Sequence, residues 1–270
     1  RQIQHRLTES LTLIDLSEAY SASGLLEKAF EVAEKALTIG LEIKNTEVEA
    51  RAYQKLGIVS RLTGRETKAL DYFERCLRIT RDIGNRLGEA ANLRELGLAQ
   101  TALNRDQDAK ASFEKALTMQ REMKNQLEQA ELLFQLARLE QKPGNRLKAQ
   151  KLIGEALLLV ESLRRDYFNQ GLRTSYTSST QNYREFQIDL LMALHRQYPK
   201  DGYDIQALEA REKAGARGLL EQLTEAGVDI RQGVDPKLLT QERALIWRLR
   251  DRAAQISQLF RQPSQPEQKE

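Results

Sequence analysis

Residues 53–76 read YQKLGIVSRLTGRETKALDYFERC, and the spacing of apolar residues in this stretch indicates the fold. Apolar residues recur at helical steps, as at Tyr53 and Leu56, then stop at Gly64 and resume from Ala69. Recurrence at three- and four-residue steps is typical of an amphipathic α-helix, and glycine commonly ends one. The stretch therefore indicates two consecutive helices joined by a short turn. The predicted helices cover residues 47–62 and 66–83.

The same pattern recurs along the chain with a fixed period of 40 residues. A fixed period of this length indicates a repeat architecture, in which each two-helix unit covers the apolar face of its neighbour. The aligned columns are Leu16, Leu56, Leu96 and Leu136; Ala29, Ala69, Ala109 and Ala149; Leu37, Leu77, Leu117 and Leu157; and Ala36, Cys76, Ala116 and Ala156. We therefore expect an all-α protein, a right-handed superhelical solenoid of about four units.

Small residues in each unit indicate where its two helices cross closely. Gly57 and Gly97, on the first helix of their units, are expected to face Ala69 and Ala109 on the second. A larger side chain there would overpack the crossing and cost about 1–3 kcal/mol.

These units resemble the tetratricopeptide repeat (TPR), whose signature is aromatic-x2-Leu-Gly followed by Ala-x3-Phe-x2-Ala. The period of 40 departs from the usual length of about 34 residues, and Ser17 replaces glycine in the first unit. The resemblance covers residues 8–165 and implies a TPR solenoid that acts in protein–protein interaction. Its structural positions are Leu56, Gly57, Ala69, Leu96, Gly97, Ala109, Leu136 and Ala149.

The period ends near Asp166, so the chain divides into a solenoid, a helical capping or linker region and a polar tail. The expected boundaries are 8–165, 166–260 and 261–270. Three non-repeat helices are predicted over about 180–198, 204–226 and 236–260. This region resembles the linker of bacterial TPR–CHAT proteins in the stretches Tyr183–Met192, Ala207–Glu221 and Gly233–Pro236. That resemblance implies a caspase-like CHAT peptidase domain after residue 270.

The TPR resemblance also implies a peptide-binding groove lined by the first helix of each unit. Carried onto this chain, the groove positions are Arg51, Gln54, Arg61, Arg94, Phe134, Arg138 and Gln141. Guanidinium groups bind carboxylates in a forked geometry, so the four arginines suggest an acidic or C-terminal-carboxylate partner. The alternative is that these arginines are ordinary surface residues or form ion pairs within the chain.

Composition argues against several other classes of protein. The 270 residues include one cysteine, two histidines and no apolar run long enough to span a membrane. The net charge of +3 is too small to favour nucleic-acid binding. Cys76 occupies the small-residue column, so we interpret it as a packing residue rather than a nucleophile paired with His5 or His195. We expect no metal, cofactor, catalytic residue or membrane contact, and a cytoplasmic location.

The predicted function is that of a protein–protein interaction scaffold. The TPR–CHAT resemblance implies that the array is the sensory or regulatory arm of a larger protein with a peptidase domain. The alternative is a signalling or transcription regulator with a different output domain. The array is expected to bind a protein or peptide, which the arginines suggest is acidic, or to dock on its own C-terminal domain. A homodimer formed through the C-terminal helices is a further alternative.

Overall fold

The computed structural model describes residues 2–141, 144–167 and 177–225, with residues 237, 238, 240 and 241. Ten α-helices and no β-strand lie between residues 2 and 225 in these described ranges, which confirms an all-α fold. The helices are α1 Gln2–Ala22, α2 Leu26–Glu42, α3 Thr46–Leu62, α4 Glu66–Asp82, α5 Arg86–Ala102, α6 Asp106–Glu122, α7 Gln126–Leu139, α8 Arg146–Tyr167, α9 Thr177–Gln197 and α10 Tyr203–Glu225.

The helices stack as consecutive pairs. Each helix from α1 to α8 packs against the next helix of the chain. In addition, α1 contacts α3 and α3 contacts α5, so the first helices of neighbouring pairs lie side by side. This arrangement is the predicted solenoid of two-helix units, and the expected helices at 47–62 and 66–83 correspond to α3 and α4.

The turn between one pair and the next uses the same chemistry three times. The side chains of Asn45, Asn85 and Asn125 accept a hydrogen bond from the backbone N–H three residues later, at the start of α3, α5 and α7. Such N-caps satisfy a backbone donor that the helix itself leaves unpaired. The preceding residues take a left-handed backbone: Lys44 at φ 53°, Gly84 at φ 68° and Lys124 at φ 56°.

A glycine under a phenylalanine ring sets the crossing of the two helices in a pair. A Cβ placed on Gly57 would lie 2.4 Å from Cε1 of Phe73, and one on Gly97 would lie 2.5 Å from Cε1 of Phe113. Both rings are fully buried. The crossing therefore excludes larger residues as the sequence predicted, but the group nearest to Gly57 is the Phe73 ring, where we expected Ala69.

The repeat columns form the core, with two exceptions in the first unit: Leu37 is half-buried, and Leu16 is exposed. Every predicted structural position is buried: Leu56, Gly57, Ala69, Leu96, Gly97, Ala109, Leu136 and Ala149. Leu16, in the same column as Leu56, is 36% exposed. Among the described helices, the main neighbours of α1 are α2 and α3, whereas α3 also packs against α4 and α5 and so has neighbours on both sides.

The stacking continues after the 40-residue period ends. Helix α9 packs against α8, and its Tyr183, Leu190 and Leu194 join the core that includes Leu133 and Ile153. The starts of α7 and α9 lie 51 residues apart, against 40 for α3 and α5, and α8 is 22 residues long. A longer α8 and a longer connection thus break the sequence period without ending the stack.

The chain forms two compact units, residues 1–214 and 215–270. Helices α1 to α9 and the first part of α10 belong to the first unit. The predicted helices at 180–198 and 204–226 correspond to α9 and α10. Most of the predicted helix at 236–260, and all of the tail at 261–270, lie outside the described residues. The three-part domain division stays a prediction.

Candidate protein-binding groove

The predicted groove residues lie on one layer of helices, and none of them is fully buried. We call the surface that they share with Ile58 and Leu98 the groove face. Arg51, Gln54 and Arg61 lie on α3, Arg94 on α5, and Phe134 and Arg138 on α7, with Gln141 two residues after its end. All are half-buried except Arg138 and Gln141, which are exposed.

A chain of ion pairs joins three helices across the groove face. Arg61 of α3 donates to Glu95 of α5 at 3.0 Å, and Glu95 also pairs with Arg94 at 3.0 Å. Arg94 in turn reaches Glu128 of α7 at 3.2 Å. Glu95 is only 5% exposed, so removing either arginine would leave a buried carboxylate short of a partner.

The electrostatics of Arg94 agree with this structural role. Burial alone would lower the pKa of Arg94, but the carboxylates of Glu95, Glu128 and Glu131 raise its pKa overall. The guanidinium therefore remains charged in a partly dry site, where its attraction to the carboxylates is stronger than in water. Arg61 and Arg94 thus stabilise the stacking of α3, α5 and α7.

Two further pairs join α1 to α3 at the other end of the groove face. Arg51 lies 3.3 Å from Asp15, and Lys55 lies 2.6 Å from Glu18. A hydrogen bond and charge attraction from Lys55 lower the pKa of Glu18. The Arg51 side chain is 42% exposed and that of Asp15 is 71% exposed, so water screens their pair and it contributes about 0–1 kcal/mol.

The predicted arginine stripe is therefore divided. Arg51, Arg61 and Arg94 each have a carboxylate partner within the chain, as in the alternative interpretation. Arg138 differs, because among the described residues it forms no ion pair. Its guanidinium donates to the side chain of Gln135 at 3.4 Å. Binding of a ligand by any of these arginines stays a prediction.

Phe134 packs against two aromatic residues of α9. Its ring packs against Tyr183 of α9 with centroids 4.4 Å apart, and edge-on against Phe186 at 5.5 Å. The Tyr183 hydroxyl donates to Glu131 of α7 at 2.5 Å. Helix α9 is thereby fixed beside α7, and Phe186 adds to the groove face a half-buried aromatic ring that lies beyond the repeats.

Sequence reasoning missed Glu95 and Tyr183. Glu95 follows Arg61 by 34 residues, and the other ion pairs between first helices span 34 to 37. A spacing of 34 to 37 residues, rather than the 40-residue period, is the signal that would have paired Arg61 with Glu95. Tyr183 offers no such signal, because the insertion between α7 and α9 removes the register.

Nothing in the described part of the chain assembles a catalytic or metal site. Cys76 is buried in α4, and burial raises the pKa of its thiol to about 12, so it stays protonated at neutral pH. His195 lies at the end of α9, 3.6 Å from Asp204. In the described ranges, no three or more His, Cys, Asp or Glu side chains are grouped as metal ligands would be. No described helix combines the length and apolar character that a membrane span requires.

Comparison with known proteins supports the repeat assignment. Residues 48–122 match the tetratricopeptide repeat family model. The TPR resemblance is thus confirmed over this part of the chain. No curated protein sequence matches the chain. The likeness to the linker of TPR–CHAT proteins stays a prediction.

Solved structures resemble most of the chain in fold. BtubC (BKLC) from P. vanneervenii superposes with a TM-score of 0.59 at 16% identity, covering 80% of this chain and 91% of BtubC. A putative kinesin light chain from Podosopora anserina, with nearly identical TPR-like repeats, gives 0.52 at 19% identity, covering 78% and 95%. Aspartyl phosphate phosphatase F from Bacillus subtilis gives 0.57 at 14% identity, covering 85% and 62%. At these identities the likeness shows the fold alone.

Proposed function

We propose that this chain is a protein–protein interaction scaffold whose groove face binds a segment of a partner protein. The observation that carries the proposal is the mixed character of that face. Ile58 and Leu98 are half-buried apolar residues packed on the core, and they lie among charged side chains that reach across neighbouring helices. Apolar patches rimmed by charges are typical of protein-binding surfaces.

The TPR match and the shared fold support the same function. TPR arrays keep their shape through core columns and vary their surface positions, and the latter determine which partner binds. In this chain the core columns repeat, whereas Arg61 corresponds to Thr101 and Arg94 to Phe134. A surface that varies over a constant core is expected of an array that recognises one particular partner.

We also propose that this array belongs to a longer protein that carries an output domain. The linker-like stretches after residue 166 support an array that regulates a CHAT peptidase domain, and the alternative output is that of a signalling or transcription regulator. A mixed α/β sequence with a His and a Cys after residue 270 would support the peptidase. A helix-turn-helix or kinase pattern there would support the regulator.

Affinity capture from a cell extract at low and moderate salt, with mass spectrometry of the retained proteins, tests the scaffold function. Leu98→Gln places an amide on the groove face, and we expect it to release the specific partner. The matched control is Leu158→Gln on α8, where the side chain is 70% exposed and does not belong to the groove face. Equal retention by wild type and both variants would contradict the groove assignment. Retention of nothing would favour docking on the C-terminal domain.

A further inference from the structure

The arginines of the groove face differ in whether they can serve a ligand. Arg61 and Arg94 are held by Glu95, which is buried between them. Arg51 has an exposed partner in Asp15. Of these four arginines, Arg138 is the one with no carboxylate partner among the described residues, and it is also exposed. Within the described residues, the positive charge at this end of the groove face is therefore not engaged in a salt bridge.

Aromatic residues fix the position of that charge. The Arg138 guanidinium carbon lies 5.9 Å from the centroid of Phe134. Phe134 is in turn held by Tyr183 and Phe186 of α9. We call Phe134, Phe186 and Arg138 the aromatic shelf. Because Tyr183 is 4% exposed and bonded to Glu131, the shelf has a rigid base.

The chemistry of the shelf matches a carboxylate beside an apolar group. A guanidinium over an aromatic face keeps its N–H edge free to bind a carboxylate through two parallel hydrogen bonds. The half-buried rings of Phe134 and Phe186 offer apolar surface next to that edge. A ligand that satisfies both must carry a negative charge and an apolar side chain close together.

We propose that the aromatic shelf binds an acidic peptide segment, in which an Asp or Glu side chain engages Arg138 and a neighbouring apolar residue packs on Phe134 and Phe186. This inference rests on the proposed groove function and names the chemistry of its partner. It also places the residue that binds the ligand's carboxylate at the junction of α7 with α9. The centre of the groove face, at Arg61 and Arg94, is not used for this purpose, because both arginines are already paired with Glu95.

Selection from a random twelve-residue peptide library, displayed on phage and applied to the immobilised wild-type chain, tests this inference. We expect enriched peptides to carry Asp or Glu within two positions of an aromatic or aliphatic residue. Their affinities are then measured by fluorescence polarisation with synthetic copies. Replacing the enriched carboxylate by its amide is expected to weaken binding about tenfold, the usual effect of losing a charge-assisted hydrogen bond.

Variants locate the site. Arg138→Gln is expected to weaken binding about tenfold, and Arg138→Lys to an intermediate extent because lysine keeps the charge without the flat, forked geometry. Arg78→Gln on α4 removes the same charge from an exposed position outside the groove helices and is expected to change affinity less than about twofold. Circular dichroism confirms that each variant is folded.

Each outcome separates this inference from the proposed function. Enriched peptides that lack acidic residues, or that bind Arg138→Gln as tightly as wild type, would overturn the shelf assignment and leave the scaffold function standing. Loss of binding on amidating only the peptide C-terminus would overturn the side-chain assignment. Failure to enrich any peptide would count against the groove face itself.

Discussion

Replacing Gly57 by alanine is the sharpest test of how this array is built. The added Cβ would lie 2.4 Å, 2.6 Å and 2.9 Å from three carbons of the Phe73 ring. Carbon atoms normally meet at about 3.5–4.0 Å, so the helices of the pair or the ring must move by about 1 Å. The ring is fully buried and cannot swing into solvent.

Two opposing terms set the magnitude. Alanine favours a helix interior over glycine by about 1 kcal/mol, whereas overpacking costs about 1–3 kcal/mol or more. Because the intrusion is deep and the ring is enclosed, we expect the upper end of that range. The net prediction is a loss of about 2 kcal/mol in the free energy of unfolding.

Gly154→Ala is the matched control. Gly154 also lies inside a helix, α8, but a Cβ placed there would meet no atom within 4 Å. Alanine should therefore give the full helix-propensity gain of about 1 kcal/mol with no steric cost. The two substitutions are chemically identical, so the difference of about 3 kcal/mol between them measures the crossing at Gly57.

Urea unfolding followed by circular dichroism at 222 nm measures both variants. A second background, Phe73→Leu, completes a double-mutant cycle. We expect Gly57→Ala to cost at least 1 kcal/mol less in that background, because leucine removes the ring atoms that the Cβ meets. If Gly57→Ala stabilised the protein as much as Gly154→Ala does, the close helix crossing would not be the reason for glycine.

Three further outcomes follow from buried and capping groups. Burial alone would raise the pKa of Glu140, but hydrogen bonds from Lys110 and Lys148 lower it overall. Its stabilising effect should therefore be complete above the unfolded pKa of about 4.3 and vanish as the pH falls through the folded value, so unfolding curves of wild type and Glu140→Gln should converge in acid. The Cys76 thiol should resist a disulfide reagent at neutral pH and react only in urea; rapid labelling of the folded chain would contradict its burial. Asn85→Ala should lower the free energy of unfolding by about 1 kcal/mol through loss of the N-cap on α5, and an unchanged urea midpoint would show that water replaces the cap.

The sequence predicted the helices well because packing and turn chemistry are local. The 40-residue columns place Leu56, Ala69 and their equivalents, and each turn carries its own asparagine or left-handed residue. Boundaries agree within two residues for α3 and α4, predicted at 47–62 and 66–83. The apolar pattern that identifies each helix lies within one unit. It can therefore be recognised without knowing how neighbouring units pack.

The groove face was harder to predict because it depends on contacts between units. The Arg61–Glu95 pair joins residues 34 positions apart, a spacing set by how far neighbouring first helices are displaced. A capping helix at 180–198 was predicted and corresponds to α9, but its contacts with α7 were not, since the longer α8 and its connection shift α9 out of the 40-residue register. The packing role of Phe134 could not be predicted, because it depends on contacts with Tyr183 and Phe186 of α9.

The ion pairs that join the first helices also make the order of the repeats matter. Core residues are alike from unit to unit, so on packing grounds one unit could replace another. The position of Glu95 is held by Lys55 in the second unit and by Gln135 in the fourth. Deleting the third unit would bring Arg61 opposite an amide, and a unit copied from the second would bring it opposite an ammonium. These ion pairs therefore restrict the order of the units, and duplication or deletion of one unit would favour compensating charge changes at the positions that come to face each other.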